Sequence, residues 1–331
     1  MLENASQWRP TASLNNLKLR AGILAEIRSF FAERDVLEVE TPILSRAALS
    51  DPHIESFSCR YIGPQAPRGR DYYLHTSPEF PMKRLLASGS GPIYQLCKVF
   101  RQGESGSRHN PEFTMLEWYR PDWDHLLLID EVEQLVLALL GPYCDLATSE
   151  KITYQQAFQR YVGLDPFFCS VKDLKACAES LGIISSLRDH EEGLDEWLDL
   201  LLTHAIEPKL GQGRLTFLCD YPPSQAALAK IRPGCPAVAE RFELYLQGVE
   251  LANGFHELVD ESEQRQRFEA DILLRGDMGL SQSPLDEAFL AALSQGLPPS
   301  AGVALGVDRL VMLACKANTI DEVISFSLSK A

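Results

Sequence analysis

Apolar residues Leu17, Leu24, Ile27 and Phe31, flanked by Ile23 and Phe30, recur at helical spacing and predict an amphipathic helix over about 15–34, with Ser13 or Asn15 as its N-cap. The β-branched run from Val36 to Thr41 closes on Pro42 and predicts a short edge strand. Three further strands are expected at Tyr72–His75, Ile93–Arg101 and Glu112–Tyr119, the last two forming a hairpin whose polar tip is Gln102–Asn110. The stretch 62–71, rich in Pro, Gly and Arg, predicts a long loop, and 141–151 a boundary.

After the hairpin the periodicity changes. Leu128, Val132, Leu135 and Leu139 share one stripe and predict a helix over 125–141; residues 170–206 also read as helical. Strands are expected at Leu215–Cys219, Phe242–Leu246 and Val249–Ala252. A Gly-punctuated strand opens into a helix at Gly302–Leu310, and a last apolar strand is expected around Val323–Leu328. Strands at both ends, joined by hairpins with helices between them, predict an α+β fold built on a mostly antiparallel sheet. The chain shows no internal repeat, and its 331 residues at 45 % hydrophobic content can bury a large core.

Charge and cysteine usage narrow the function classes. A net charge of −15 disfavours a broad nucleic-acid surface. The eight cysteines carry no C-x-x-C pair and no His at zinc-ligand spacing, which predicts reduced, mostly core residues. No basic leader with an apolar stretch and no membrane-length apolar run is visible, so the cytoplasm is the expected location.

Three constellations carry chemistry. Strand alternation puts Phe113, Met115, Glu117 and Tyr119 on one face, with Arg101 at the tip of the facing strand. A carboxylate among aromatics is costly to bury unless it meets a cation or donor, so this face is expected to line a pocket; the alternative is a solvated edge. In FELYLQGVELANGFHEL, a turn at Gln247-Gly248 pairs Tyr245 with Glu250 and sets Glu243 diagonally across from Glu250, roughly 7–8 Å away. Such hard oxygen donors suit Mg²⁺, although a hairpin Glu is more often simply solvated. A second turn at Asn253-Gly254 is expected to re-aim Glu257. Finally, GVALGVDRL lets backbone approach a ligand at Gly302 and Gly306 and puts Arg309 in the first helical turn, able to clamp a polyphosphate.

These segments resemble, in order and form, the three signature motifs of the class II aminoacyl-tRNA synthetases, over nearly the whole chain. Helix 15–34 with VLEVETP resembles motif 1, FRQGESGSRHNPEFTMLEWY motif 2 and GVALGVDRL motif 3; RHNPEFTMLE with ELANGFHEL is similar to the lysyl branch. A lysyl enzyme carries an anticodon-binding OB-fold of about 100 residues before motif 1, whereas motif 1 begins here by residue 15. The expectation is therefore one catalytic domain over 1–331, with motif 1 at about 15–45, motif 2 at about 93–120, a helical insertion at about 142–210, motif 3 at about 302–317, and no OB domain. TSPE at 76–79 and LEWYRP at 116–121 suit a stand-alone lysyl paralogue.

The resemblance implies an ATP-dependent ligase that forms an adenylate of (R)-β-lysine or lysine and passes the acyl group to the ε-amino group of a lysine on elongation factor P, with no tRNA and no membrane. The alternatives are another acceptor, such as tRNA or a different protein, and a catalytically inactive synthetase-like regulator. Arg101 would meet the α-phosphate and Arg309 the γ-phosphate. Gln102, His109, Asn110, Glu250, Leu251, Gly306 and the backbone of Gly103 would lie along ATP, with Phe113 stacked on adenine. Glu243 and Glu250 would hold Mg²⁺.

On the amino-acid side, Glu117, Tyr119 and Glu257 would surround the ε-ammonium, and Ser77, Pro78 and Glu79 would frame the substrate's amino end. Ala304 stands where lysyl synthetases have Gly, and Ser77 where they usually have Ala; together these would favour β-lysine by about 1–3 kcal/mol. Gly103 occupies the place of the family's motif 2 Glu, with Glu104 one residue later. Motif 1 implies a homodimer through residues 15–45, and Arg108 or Arg120 would steer the acceptor.

Overall fold

In the computed structural model, residues 8–183 and 193–331 are described. Ser13 caps the first helix by accepting from the Asn16 N–H at 3.1 Å, so α1 runs Leu14–Ala32 and buries Ile23, Ile27, Phe30 and Phe31. The strands are β1 (Leu37–Glu38), β2 (Leu44–Ser45), β3 (Ser58–Gly63), β4 (Ala66–Leu74), β5 (Ile93–Phe100), β6 (Glu112–Pro121), β7 (Ala147–Thr153), β8 (Arg214–Tyr221), β9 (Ile231–Arg232), β10 (Val238–Leu246), β11 (Val249–His256) and β12 (Ser300–Gly306). The remaining helices are α2 (Glu79–Ala87), α3 (His125–Leu140), α4 (Tyr154–Val162), α5 (Val171–Ser180), α6 (Leu194–Leu201), α7 (Glu261–Asp277), α8 (Glu287–Gly296) and α9 (Val307–Cys315).

The main sheet has the order β1-β5-β6-β12-β11-β10-β8-β7, with β9 paired to β10. Only the outermost pairs, β1 with β5 and β7 with β8, are parallel; the rest is antiparallel, as the hairpin pattern predicts. Alternation along each strand divides the sheet into two faces. Leu116 and Trp118 of β6, Phe242 and Leu244 of β10, and Val303 and Leu305 of β12 pack on Ile27 and Phe31 of α1, Leu128 and Val132 of α3, and Leu310 of α9. The opposite face is roofed by α2, α7 and α8 at one end and by α4–α6 at the other. Covering one face completely leaves the other free to hold a cleft.

Several local expectations change. Residues 62–71 belong to the β3–β4 hairpin of a small three-stranded sheet, order β2-β4-β3, where Tyr61 meets Tyr72 edge-on and Arg60 pairs with Asp71 at 3.1 Å. These cross-strand contacts outweigh the local Pro and Gly signal. Residues 147–153 lie in the sheet as β7. Val323–Leu328 is no strand: after a 3₁₀ turn at Ile320–Glu322, Val323 and Ile324 enter the core from an irregular segment to which the Thr11 N–H donates at Ser325. Asn253 and Gly254 continue β11 rather than turn; a Cβ at Gly254 would lie 2.5 Å from the Phe242 ring, so this glycine answers packing.

Within the predicted helical span 170–206, α5 and α6 form, α6 ending in a π-helical turn at Leu202–Ile206, and 184–192 lies outside the described residues. The cysteines are all free, but only Cys219 is buried; Cys59 and Cys235 are exposed. Arg120 is enclosed in an ion pair with Glu131, which removes it from the surface. Among the described residues no helix is long and apolar enough to cross a membrane.

Candidate active site

A cleft of about 1020 Å³ lies on the open face of the sheet. Its floor follows from strand register. Glu117 of β6 is opposite Ala304 of β12, Ala304 opposite Asn253 of β11, and Asn253 opposite Glu243 of β10; one row along, Tyr119, Gly302 and Phe255 align. Residues far apart in sequence thus become neighbours on one pleated surface.

One end is acidic and closed. Glu117 accepts from Ser77 Oγ and from the Tyr119 hydroxyl, both at 2.7 Å, while the Glu79 N–H donates to Ser77 Oγ at 3.0 Å. Glu79 and Glu257 each lie 2.5 Å from the Lys83 ammonium. Burial, joined by the charge of Glu79, pushes Glu117 up to about 7. Burial likewise pushes Glu257 up to about 8, against the pull of Lys83. Gly302 makes this pocket possible: a Cβ there would lie 2.2 Å from the Tyr119 ring and 2.5 Å from Glu257 Oε1. The glycine gives those two side chains their space.

The other end carries arginines and a second set of carboxylates. Arg309 donates to the Glu250 carbonyl at 2.9 Å, to Glu250 Oε2 at 3.1 Å and to His109 Nε2 at 2.7 Å. Burial and the neighbouring Arg309, Arg101 and Arg108 lower His109, leaving a neutral imidazole able to accept that bond. Arg101 lies 5.1 Å from the centre of the Phe113 ring and 3.4 Å from Glu104. Glu243 is held by Arg241 and by the Tyr245 hydroxyl at 2.5 Å. Glu207, from a 3₁₀ turn, also accepts from Tyr245 at 3.2 Å and is pushed up to about 7 by burial and by the charges of Glu243 and Glu250. Burial and Glu243 raise Glu250 as well. Neighbouring carboxylates that repel one another in this way form an oxygen donor set suited to a hard divalent cation.

The structure gathers most of the sequence candidates on this cleft: Ser77, Glu79, Arg101, His109, Asn110, Phe113, Glu117, Tyr119, Glu243, Glu250, Leu251, Glu257, Ala304, Gly306 and Arg309 all line it. Pro78, Gln102 and Gly103 do not. The Gln102 N–H instead donates to the Glu55 carbonyl, and Gly103 has φ of +84°, suiting a tight tip. Glu104 lines the cleft beside Arg101, so the displaced motif 2 carboxylate does reach inward. The Asn110 amide is already committed, donating to the Glu112 carbonyl and accepting from the Leu328 N–H, and it pins the hairpin tip to the C-terminal segment.

Lys83, Glu207 and Gln264 carry no signal in the sequence: each sits in an ordinary-looking helical or loop segment, and only tertiary packing brings Glu207 and Gln264 to the cleft and Lys83 behind it. Asp308, the residue before Arg309, is buried and bridges Arg20 of α1 to the Thr114 N–H of β6.

Comparison with known proteins agrees with this geometry. Residues 3–330 match the family model described as tRNA synthetases class II (D, K and N). A protein of Erwinia tasmaniensis named elongation factor P–(R)-β-lysine ligase is 52 % identical over 329 residues, covering 99 % of this chain and 100 % of its own length. Proteins of the same name from Salmonella paratyphi B and Salmonella enteritidis PT4 are 50 % identical over 330 residues, covering 100 % of both chains. With its motifs, its antiparallel sheet and this coverage in agreement, the chain belongs to the class II tRNA synthetase family.

Proposed function

We propose that this chain is an ATP-dependent ligase that activates (R)-β-lysine, or lysine, as an aminoacyl-adenylate and transfers it to the ε-amino group of a lysine on elongation factor P, the protein that its relatives' names specify. The observation that carries the reading is a single cleft with a buried acidic pocket at one end and an arginine-lined, carboxylate-rich end at the other. The first suits a cationic amino acid, the second a polyphosphate.

In this reading Glu117, Tyr119 and Glu257 receive the ε-ammonium, and Ser77 and Glu79 frame the second amino group. That leaves the substrate carboxylate directed along β6 toward Arg101. Phe113 offers its ring to adenine, with His109, Asn110, Leu251 and Gly306 along the nucleotide. The carboxylate oxygen bonds to the α-phosphorus and pyrophosphate departs with the electrons of the broken P–O bond. Arg101 at the α-phosphate and Arg309 at the γ-phosphate stabilise the charge that develops. Glu243 and Glu250 would hold Mg²⁺, with Glu207 close by, and the ion would neutralise phosphate charge. In the second half-reaction the acceptor amine forms the amide bond, loses a proton, and AMP leaves. Positioning and electrostatics suffice, and no protein nucleophile is required.

A homodimer through residues 15–45 belongs to the same proposal. The exposed Leu37, Ile43 and Leu44 on that stretch support it, and light scattering at micromolar concentration tests it; a monomer mass would refute it. We further place the whole of 1–331 in one catalytic domain.

The decisive assay is amino-acid-dependent ATP–pyrophosphate exchange with L-α-lysine and (R)-β-lysine in parallel, followed by transfer to purified elongation factor P or to tRNA. Exchange with β-lysine and labelling of the protein are expected. Efficient tRNA charging would overturn the acceptor, and no exchange with any amino acid would revive the inactive-regulator reading.

A further inference from the structure

Lys83 of α2 is completely buried, at 0 % exposure, and does not line the cleft. It approaches the acidic pocket from behind. Its ammonium lies 2.5 Å from Glu79 Oε1, 2.5 Å from Glu257 Oε2 and 5.8 Å from the centre of the Phe289 ring. Burial opposes its charge, but attraction to Glu257 and Glu79 outweighs that and holds it protonated above the usual lysine range. The pocket therefore has a permanent resident cation.

The other groups facing it are few. From β6 come Glu117 and Tyr119, from just past the end of β11 Glu257, from α2 Glu79, from the preceding loop Ser77, and from α7 the uncharged Gln264, whose amide has no hydrogen-bond partner. Arg267 of α7 is held by Glu263 and by the carbonyls of Ala227 and Ala229. Tyr119 is raised well above the usual phenol range, by burial and then by Glu117, and stays neutral. Three carboxylates and one ammonium leave two negative charges unanswered.

We infer that Lys83 is a resident counter-ion that sets this unanswered charge at two, matching the pocket to an amino acid with two ammonium groups. The inference rests on the lysine-type substrate proposed above. It makes Lys83 a positioning and specificity residue rather than a catalytic one, since it touches the carboxylates and not the substrate.

In the empty pocket protons take the place of the missing ammonium groups, which accords with Glu117 and Glu257 lying at about 7 and about 8. A dication that enters must displace them, so binding at pH 7.5 releases about one proton. Removing Lys83 takes away a charge that lowers both Glu117 and Glu257, so both are protonated at pH 7.5 and the entering dication releases about two protons, while a further proton stands in for Lys83 in the free and the bound pocket alike.

The test is isothermal titration calorimetry of the full chain with (R)-β-lysine and L-lysine at pH 7.5, in phosphate and in Tris, buffers whose ionisation heats differ enough to count protons. Lys83→Met is expected to release about one proton more than the parent, and its log Kd to change with pH more steeply by about one per unit, with affinity recovering toward pH 9. The charge-restoring Glu79→Gln/Lys83→Met double variant is expected to return to the parent's proton count, and it carries the test if the single variant does not fold. A Lys83→Met protein that folds and releases the same number of protons as the parent, or that fails to bind even at pH 9, overturns the role of Lys83, as does a double variant that releases about two. If the parent binds neither amino acid, it is the substrate reading that fails.

Discussion

The two ends of the cleft hold their charges in opposite ways. At the acidic end Glu117, Tyr119 and Glu257 are almost fully enclosed, and their hydrogen bonds and ion pairs run to one another, to Ser77 and to Lys83. At the arginine end the side chains of Arg101 and Arg309 keep 25 % and 23 % of their surface exposed, and their carboxylate partners Glu104 and Glu250 are also partly exposed. A buried charge set discriminates strongly because an unmatched charge there cannot be rescued by water. A partly exposed arginine can exchange partners, as a group must if it is to follow phosphate charge through a reaction. On the proposed function, one end selects and the other responds.

Cutting the responding end should cost most. Arg101→Ala is expected to lower pyrophosphate exchange by about 10²–10³-fold, the effect of losing a donor aimed at developing charge, while lysine affinity measured by calorimetry stays near that of the parent. A fall in lysine affinity of the same size would erase the division between the ends. Next, Glu117→Gln keeps the shape but removes a charge that receives two hydrogen bonds. The expected loss is about 1.5–3 kcal/mol in kcat/KM for lysine, carried by KM, with the ATP KM unchanged.

Packing at the selecting end can be tested without altering charge. Gly302→Ala drives a methyl into Tyr119 and Glu257 and should cost about 1–3 kcal/mol in stability, with a raised KM for lysine. A silent substitution would mean that the pocket is looser than its contacts indicate.

The pH dependence sharpens the same contrast. Glu117 and Glu257 hold protons more tightly folded than unfolded, at about 7 and about 8 against an ordinary 4.5. Their stabilising contribution is therefore complete below about pH 4.5 and is lost as pH rises through 7 and 8. In scanning calorimetry the ligand-free protein should melt lower at pH 8.5 than at pH 6.5, and saturating lysine should narrow that gap. The smallest effect is expected from Ala304→Gly, a single methyl on β12 opposite Glu117. It should shift the ratio of β-lysine to α-lysine exchange by about 1 kcal/mol.

Much of this molecule was legible in one dimension. The stripe of Leu17, Leu24, Ile27 and Phe31 fixed α1, and the Gln247-Gly248 turn, with φ of +53° and +67°, gave the Tyr245–Glu250 pairing because a two-residue hairpin turn permits little else. Period-two alternation on β6 correctly set Glu117 and Tyr119 on one face. Local signals misled where long-range contacts decided, as in the β3–β4 hairpin, in the C-terminal segment buried without becoming a strand, and at Gly254.

What the sequence by itself determined was the class of fold, the family and a set of charged and aromatic side chains that line the cleft, since these rest on periodicity, turn chemistry and motifs of neighbouring residues. The tertiary structure alone decided how the cleft is divided and how its charges balance. The burial of Lys83 between Glu79 and Glu257, the approach of Glu207 to Glu243 and Glu250, and the diversion of Arg120 to Glu131 depend on which distant segments meet. The interaction of buried charges depends on distance and solvent exclusion, and neither is encoded in local spacing along a chain.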